Sequence, residues 1–359
     1  MKMSEDILSL NMSELKESNA LKEEPKFRAQ QIFDWLHNKR VSSFSDMKNV
    51  PQKLQNRLRE EFRFGGVSLH RKLVSKKDGT VKYVFSLWDG EFVETVLLKS
   101  QRGLSVCVST QAGCKMGCAF CASTKAGFSR NLSAGEILSQ IYFASGDAGE
   151  RVSSVVLMGI GEPLDNYDNV LRFLELISAP EGMNLSHRHI SLSTCGVVPG
   201  IERLREEDLQ ITLSVSLHAP FDQMRSEMMP INKVYPISVL MKACDDYFES
   251  TKRRISFEYA VIKGKNDTDA CADKLRELLK GKNCHINLIP VNEIKEKPFE
   301  SGSSKVAADF AQKLTKRGLN ATVRRRLGED IDAACGQLRR ETKESERKEP
   351  RNESIRTDR

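Results

Sequence analysis

Short apolar runs alternate with longer segments of helical periodicity through most of the chain. Six runs have the composition of buried strands, and each precedes a segment in which apolar residues recur at helical spacing. These runs begin at Leu104, Ser153, His189, Ile211, Ile255 and Ile286. Strands that alternate with helices in this way predict a parallel sheet covered by helices. We expect an α/β fold with a partial (β/α)6 TIM-type barrel over residues 101–340. A flat doubly wound sheet is the alternative, although its glycine fingerprint for phosphate binding is missing.

Two amphipathic helices are predicted ahead of the barrel. Apolar residues recur at helical spacing across residues 32–36 and 54–62, on either side of a break at Pro51. We therefore expect residues 1–75 to form a small helical domain. Its outer face is basic and could contact phosphate groups, or it could be an ordinary solvated surface. The basic residues are Lys26, Arg28, Lys39, Arg40, Lys48, Lys53, Arg57 and Arg59.

A β-hairpin is predicted between these helices and the barrel. Residues 79–87 and 91–98 alternate in strand fashion around Asp89 and Gly90, which is a strong hairpin signal. We expect residues 76–100 to form a hairpin extension that leads into the barrel. Glu94 lies in its second strand and is interpreted, on this pattern alone, as an outward-facing residue.

Composition and charge indicate the cellular compartment and the class of partner. The 359 residues carry a formal charge of +7, which makes nucleic acid a plausible partner without establishing it. Nine cysteines, three of them closely spaced, favour a reducing cytosol. The start of the chain lacks the apolar core of a secretory signal and no run is long enough to cross a membrane, so we expect a cytoplasmic protein with no membrane partner. Residues 341–359 are almost all charged or polar and are expected to be a disordered tail.

Three cysteines at three- and two-residue gaps form the most informative motif. Cys114, Cys118 and Cys121 lie in a loop of small residues shortly after the first barrel strand. Thiolates suit soft metals and iron–sulfur clusters, and a cubane cluster held by three cysteines keeps one iron open for a small chelating ligand. Two alternatives remain. One is a zinc site that takes Cys107 as the fourth ligand that structural zinc requires, and the other is three unconnected thiols.

Further polar residues follow the barrel strands, where the ligand-handling residues of such folds lie. Gly161 and Glu162 follow the second strand. A glycine lets the backbone approach a ligand, and a carboxylate there can accept hydrogen bonds from an ammonium group. Each strand-end residue alone would more often be a turn or core residue, but together they can converge on one mouth of the barrel. The candidates at the ends of later strands are Ser193, Ser216, His218 and Asn292.

Two other cysteines stand apart from the loop. Cys335 lies among small and acidic residues, downstream of three arginines at 324–326, and such surroundings favour an exposed and activated thiol. Cys107 lies in the first strand and, taken alone, is interpreted as a small buried hydrophobic residue. The remaining cysteines, interpreted as structural, are Cys195, Cys244, Cys271 and Cys284.

The combination of motifs resembles a known enzyme family. The cysteine loop, together with Gly-Glu-Pro at 161–163, is similar to radical S-adenosylmethionine (SAM) enzymes. With Cys107, Ser-Leu-His-Ala at 216–219 and Asp-Ile-Asp-Ala-Ala-Cys-Gly-Gln-Leu at 330–338, residues 25–340 resemble the bacterial dual-specificity RNA (adenine-C2) methyltransferases. The last of these motifs is highly specific for the family.

That resemblance implies a role for each candidate residue. Cys114, Cys118 and Cys121 would hold a 4Fe-4S cluster whose free iron binds SAM. Cys335 would be the S-methylcysteine intermediate, Cys107 the resolving thiol that forms a transient disulfide with Cys335, and Glu94 the proton acceptor. The implied SAM contacts are Gly161, Glu162, Ser193, Ser216, Leu217, His218 and Asn292.

The resemblance also implies an unusual reaction, because adenine C2 is an electron-poor carbon without a nucleophilic lone pair. In the family one SAM methylates the cysteine, and a second is reductively cleaved to a radical that removes hydrogen from that methyl group. The methylene radical adds to the base, and loss of the C2 proton and thiol attack release the product. The implied partners are 23S rRNA at the peptidyl-transferase centre, tRNA, and a flavodoxin-like or ferredoxin-like electron donor. The basic N-terminal domain of residues 1–75 would then dock the RNA, and the target adenine would be turned out of its stack.

One position departs from the family pattern, and two other functions stay open. Glu293 follows Asn292 where many relatives have proline, which affects the expected shape of that loop. A related 23S rRNA adenine-C8 methyltransferase, which confers antibiotic resistance, shares the cysteines and most of the mechanism. An iron–sulfur RNA-binding regulator, or a zinc-stabilised binding module, would need neither Cys335 nor the Gly-Glu-Pro turn.

Overall fold

The computed structural model describes residues 5–101, 103–125, 127–290 and 304–331. No helix within these ranges is long and apolar enough to cross a membrane. The strands are β1 (Glu5–Asp6), β2 (Phe62–Arg63), β3 (Ser68–Val74), β4 (Val81–Ser86), β5 (Phe92–Ser100), β6 (Gly103–Cys107), β7 (Gln111–Ala112), β8 (Arg130–Asn131), β9 (Val152–Leu157), β10 (Ile190–Thr194), β11 (Thr212–Ser216), β12 (Ile255–Val261), β13 (Cys284–Pro290) and β14 (Ala321–Val323). The α-helices are α1 (Met12–Glu17), α2 (Phe27–His37), α3 (Gln52–Glu61), α4 (Ala134–Ala148), α5 (Tyr167–Ser178), α6 (Val198–Glu206), α7 (Asp222–Met228), α8 (Ile237–Thr251), α9 (Asp269–Leu279) and α10 (Ser304–Lys316).

A ten-stranded sheet forms the centre of the molecule, in the order β14-β13-β12-β11-β10-β9-β6-β5-β4-β3. Strands β6 and β9 to β14 run parallel to one another. Strands β3, β4 and β5 extend the sheet in antiparallel fashion beyond β6. The six predicted strand and helix units are therefore present, and β14 adds a short seventh parallel strand after α10.

The parallel part of the sheet curls into an open barrel. The guanidinium of Arg324, directly after β14, lies 3.2 Å from Sδ of Met158, directly after β9. Four strands separate β14 from β9, so a flat sheet would place them about 24 Å apart at the usual strand spacing. Among the described residues β14 does not pair with β3, so the barrel is not closed. The prediction of a partial barrel is confirmed, and the flat doubly wound alternative is wrong.

Alternation along the parallel strands separates a polar face from an apolar one. The register pairs Ser193 with Ser214, and Ser216 with Glu258, so these four side chains share the inner face of the barrel. The residues between them are deeply buried and belong to the main hydrophobic core with the helices. Burial of this outer face stabilises the barrel, and it leaves the polar inner face available for ligands.

The predicted hairpin is present as β4 and β5. The N–H of Leu87 donates to the carbonyl oxygen of Glu91 at 2.8 Å, and Gly90 takes the left-handed turn conformation with φ +79°. Strand β3 was not predicted, because the sequence pattern indicated only helices within residues 1–75. Almost all of its residues are exposed, so it lacks the apolar alternation by which a strand is recognised.

Helices α2 and α3 confirm the two predicted amphipathic helices, and α2 packs against α4. His37 Nδ1 lies 2.8 Å from Tyr142 Oη, and Arg40 donates to Ser145 Oγ at 2.9 Å. Burial lowers the pKa of His37 to about 3. These contacts fix the N-terminal helices to the helix that follows the cysteine loop.

Part of the basic face predicted on these helices is neutralised by neighbouring acidic residues. Glu24 pairs with both Arg28 and Arg57, and Asp34 pairs with Lys39. The role of this face in RNA docking therefore stays a prediction.

Candidate active site

A short antiparallel pair closes the loop that carries the three cysteines. Strand β7 pairs with β8, and the loop opens at Gly113 with φ +91°. A Cβ atom at this position would lie 1.8 Å from the carbonyl oxygen of Gly127. Only glycine allows such a close approach of two backbone segments, so Gly113 sets the path of the loop.

The cysteines and the strand-end residues line one cavity of about 140 Å³ at the mouth of the barrel. Leu217 lies beside it and is fully buried. Asn292 and Cys335 lie outside the described residues. The predicted site residues that the structure brings together are Cys114, Cys118, Cys121, Gly161, Glu162, Ser193, Ser216 and His218.

Neighbouring cysteines of the loop influence the ionisation of Cys114 and Cys118. Burial raises the pKa of Cys114 and of Cys118 to about 12, and repulsion from neighbouring cysteine thiolates adds to this effect. Positive charge bound between them would favour the thiolate forms. Three cysteine sulfurs at a cavity also lined by polar strand ends supply the donor type that an iron–sulfur cluster with an open coordination site requires.

The carboxylate of Glu162 is fixed by two backbone donors. Its oxygens accept hydrogen bonds from the N–H of Leu164 at 3.0 Å and the N–H of Cys195 at 2.7 Å. Burial raises the pKa of Glu162, and these hydrogen bonds oppose the shift. An oriented carboxylate in a cavity can accept further bonds from an ammonium group.

Gln111 supports the turn that precedes Glu162. Its Oε1 accepts the N–H of Glu162 at 2.8 Å, and its Nε2 donates to Asp165 at 2.8 Å. A Cβ atom on Gly161, which has φ +110°, would lie 2.6 Å from Cβ of Gln111. The Gly-Glu turn and the cysteine loop are thus locked together, and glycine is required at this contact.

His218 is buried and presents one nitrogen for donation. Its Nδ1 accepts the N–H of Ala260 at 2.9 Å, and its carbonyl oxygen accepts from Asn266 Nδ2 at 2.8 Å. Burial, with a smaller effect of the Arg225 charge, lowers the pKa of His218 to about 3, so the ring is neutral near pH 7. A neutral ring that accepts at Nδ1 carries its proton on Nε2.

Sequence reasoning missed Arg225, which clamps the ends of two strands. Its guanidinium is fully buried and donates to the carbonyl oxygens of Cys195 at 2.8 Å, Ser216 at 3.1 Å and Leu217 at 3.2 Å. A fourth bond goes to the side chain of Asn232 at 2.9 Å. A single arginine in a short helix gives no sequence signal of burial, because such residues are usually exposed.

A second missed group extends the polar inner face beyond the cavity. Glu258 is buried and accepts hydrogen bonds from Asn287 at 2.7 Å and Ser256 at 3.3 Å. Burial raises the pKa of Glu258, and the charge of Arg324 opposes the shift. The signal was the polar alternation within β12, which is unusual for a strand covered by helices.

Glu94 is buried in an ion pair, so the interpretation as an outward-facing residue was wrong. Its Oε2 lies 2.9 Å from Nζ of Lys82, and both side chains are fully buried. The register pairs Lys82 with Val96, and Val96 with Cys107. Because cross-strand partners and alternate residues share a face, Lys82, Glu94 and Cys107 all lie on the inner face.

The last described residues are tied to the β3–β4 turn. Asp330 accepts hydrogen bonds from Ser75 Oγ at 2.7 Å and from the N–H of Lys76 at 2.9 Å. The N–H of Gly328 donates to Asp78 at 2.8 Å. Cys335 follows Ile331 by only four residues, which limits their separation to about 14 Å.

An open parallel barrel with a three-cysteine loop at its mouth defines the class of radical SAM enzymes. Residues 108–279 match the profile of the radical SAM superfamily. The crystal structure of a radical SAM methyltransferase from Sphaerobacter thermophilus is similar to this chain with a TM-score of 0.88 and 41% identity, over 93% of this chain and 98% of that one.

More specific matches identify the family within this class. Residues 5–63 match the ribosomal RNA large subunit methyltransferase N-terminal domain. The chain is 52% identical over 94% of its length to a probable dual-specificity RNA methyltransferase RlmN of Clostridium botulinum, of which 98% is covered. It is 50% identical over 93% of its length to the Clostridium tetani protein of the same description, of which 96% is covered. The chain belongs to the RlmN-type family of radical SAM RNA methyltransferases, whose cofactors are a 4Fe-4S cluster and SAM.

Proposed function

We propose that the enzyme methylates C2 of adenine in 23S rRNA and in tRNA, with Cys335 as the methyl carrier. The observation that carries the proposal is the shared inner face of the barrel. This face holds the strand-end residues Ser193 and Ser216 of the cysteine cavity and, further along the sheet, the Lys82, Glu94 and Cys107 group. Substrates of this kind place the enzyme in the cytoplasm.

The residues around the cavity would hold and orient the cofactors. Cys114, Cys118 and Cys121 would bind the 4Fe-4S cluster, which supplies one-electron reductive cleavage of SAM when a flavodoxin-like or ferredoxin-like donor reduces it. Glu162 would accept the ammonium group of SAM, and His218 would donate from Nε2.

The remaining SAM contacts would come from the ends of neighbouring strands. Hydroxyl groups of Ser193 and Ser216 can bond the polar groups of SAM, while Leu217 would contribute from a position fixed by Arg225. Asn292 would complete the set from outside the described residues. Two SAM molecules are consumed per turnover, one as methyl donor and one as radical source.

The methyl group would pass through Cys335 to the base. After the methylene radical bonds to C2, the adduct would lose the C2 proton to Glu94 and one electron, for which the cluster oxidised by SAM cleavage is the acceptor. The Cys107 thiolate would then attack the sulfur of Cys335 and break the bond between that sulfur and the methylene carbon, which would take up a proton to become the methyl group. The methylated RNA is then released, and the Cys107–Cys335 disulfide is reduced before the next cycle.

Two structural features support this route. Cys107 and Glu94 share a face, and Asp330 is tied to Ser75 in the β3–β4 turn, which leads into the strand that carries Lys82. Four residues of chain from Ile331 can span at most about 14 Å, which is the reach that this route requires from the β3–β4 turn.

The position of the new methyl group tests the proposal. Anaerobic incubation with SAM, a reductant and either a 23S rRNA fragment or tRNA should yield 2-methyladenosine, identified by chromatography and mass spectrometry against 2-methyl and 8-methyl standards. Detection of 8-methyladenosine would instead identify the related C8 enzyme. Absence of SAM cleavage by cluster-loaded protein would support a non-catalytic RNA-binding protein.

A further inference from the structure

An exposed aromatic surface lies beside the cysteine loop and outside the cavity. Trp88 in the β4–β5 turn is 47% exposed, and Phe128, just before β8, is 39% exposed. The guanidinium of Arg130 lies 5.2 Å from the centroid of the Trp88 ring, and Lys115 Nζ lies 5.4 Å from the centroid of Phe128. Arg63 also lies 5.2 Å from the Trp88 ring. We call these five residues the aromatic platform.

Hydrogen bonds of Arg130 hold the turn that carries Trp88. Arg130 Nε lies 2.5 Å from Oδ2 of Asp89, the residue after Trp88. The same guanidinium bonds both oxygens of the buried Glu136 at 2.7 and 2.9 Å. A ring in a fixed turn loses little conformational freedom when a ligand binds, so its contact energy is retained in the affinity.

Charges on the platform are balanced locally. Arg130 pairs with Asp89 and Glu136, and Lys115 pairs with Asp165 at 2.9 Å. Arg63 lies 3.8 Å from Asp6. Cations that already have carboxylate partners attract phosphates weakly, whereas the exposed parts of Trp88 and Phe128 offer aromatic surface to a nucleobase. The chemistry of the platform therefore suits unpaired nucleobases better than a duplex backbone.

The platform lies at the same end of the barrel as the cysteine loop. Strands β5 and β6 are antiparallel, so the β4–β5 turn lies near the C-terminal end of β6, where the cysteine loop starts. Lys115 is adjacent in sequence to Cys114, a lining residue of the cavity. RNA whose adenine enters the cavity must leave neighbouring bases at this rim, because a flipped base is removed from its stack.

We propose that the aromatic platform stacks unpaired RNA bases that neighbour the target adenine. This inference rests on the proposed function, and it names the RNA feature that the site recognises: a single-stranded loop. Trp88 is its principal contact, because it is the larger and more exposed of the two rings.

Substitutions at Trp88 test the proposal in the cluster-loaded enzyme. The probe is an RNA stem-loop with an unpaired adenine, and a fully paired duplex of similar composition is the comparison. Trp88→Leu should weaken stem-loop binding about 5- to 150-fold, the range for loss of one stacked base, and should leave duplex binding unchanged. Trp88→Phe keeps an aromatic face and should bind nearly as well as wild type.

Salt dependence separates stacking from phosphate contact. The slope of log Kd against log salt should be the same for Trp88→Leu and wild type, because no phosphate contact is lost. The chain has two tryptophans, so in a Trp35→Phe background the fluorescence of Trp88 alone should be quenched by the stem-loop.

Three results would overturn the proposal. Trp88→Leu could bind the stem-loop with wild-type affinity, or it could lose as much affinity for the duplex as for the stem-loop. In the third result, Trp88→Phe loses as much affinity for the stem-loop as Trp88→Leu does. Formation of 2-methyladenosine by the wild-type enzyme is measured in a separate experiment. If that product is absent, the proposed function fails whatever the affinities are. If the product forms while Trp88→Leu binds normally, only the platform proposal fails.

Discussion

At the scale of single residues, the Lys82–Glu94 pair shows how chemistry is placed inside the barrel. Two fully buried charges at 2.9 Å compensate each other, and a buried charge without a partner is costly. Lys82→Met should therefore lower the free energy of unfolding by about 3–5 kcal/mol, as measured by urea denaturation.

A double variant separates stability from catalysis at this pair. Lys82→Met with Glu94→Gln removes both charges and should recover much of the lost stability. It should still form no methyladenine if Glu94 is the proton acceptor. A single Lys82→Met variant as stable as wild type would show that the pair is not a buried charge interaction.

The sequence predicted the site residues at the strand ends. It did not predict the buried charged residues that hold those site residues in position. Ser193 and His218 were found because the ends of parallel strands meet at one edge. Arg225 and Lys82 were not found, since charged residues are usually exposed and only the folded chain shows which ones are buried. Glu94 was misjudged from alternation alone, because both faces of this hairpin strand are covered.

At the scale of elements, Arg225 joins the ends of β10 and β11 through carbonyl groups of Cys195, Ser216 and Leu217. Arg225→Met removes the guanidinium donor from these carbonyl groups and frees the cavity wall. We expect SAM affinity to fall at least about tenfold, since loss of a hydrogen bond to a charged group costs about 1.5–3 kcal/mol.

Equilibrium dialysis with cluster-loaded protein would measure this loss. Arg203→Met is the matched control, because Arg203 lies on the neighbouring helix α6 and its side chain is 56% exposed. Unchanged SAM affinity in Arg225→Met would mean that the strand ends keep their positions without the clamp.

The contact between α2 and α4 should make stability depend on pH. His37 has a pKa of about 3 in the fold, against 6.5 for the ordinary side chain. Between these values the unfolded chain binds more protons, so stability rises with pH and falls as the solution is acidified below 6.5. The protonation of this residue in the unfolded chain should lower the free energy of unfolding by about 2 kcal/mol between pH 7 and pH 5.

A variant without this histidine isolates its contribution. Between pH 7 and pH 5 the free energy of unfolding of His37→Gln should fall by about 2 kcal/mol less than that of wild type, as measured by urea unfolding at each pH. An equal fall in the free energy of unfolding of the two proteins would mean that the fold does not lower the pKa of His37.

Elements with strong periodicity were predicted well, and the others were not. The six barrel strands and the helices α2 and α3 have apolar patterns that mark one covered face. Strand β3 forms because its backbone pairs with β4, and this pairing leaves no trace in its mostly exposed side chains.

At the scale of the whole molecule, curvature brings distant segments together. The contact between Arg324 and Met158 joins the last described strand to β9, and Asp330 is tied to the β3–β4 turn. The chain thus crosses the open side of the barrel before it reaches Cys335. Sequence order predicted the strands, whereas this closure depends on tertiary contacts of individual side chains.

The most direct test of the account is whether Cys335 carries a methyl group. Cluster-loaded protein should be incubated with SAM and reductant, digested, and analysed by peptide mass spectrometry, with Cys335→Ala and Cys284→Ala as the variant and its control. We expect a methylated Cys335 peptide in wild type and in Cys284→Ala, and a Cys335→Ala variant that keeps its cluster but forms no methyladenine. Normal RNA methylation by Cys335→Ala would contradict the role of Cys335 as methyl carrier.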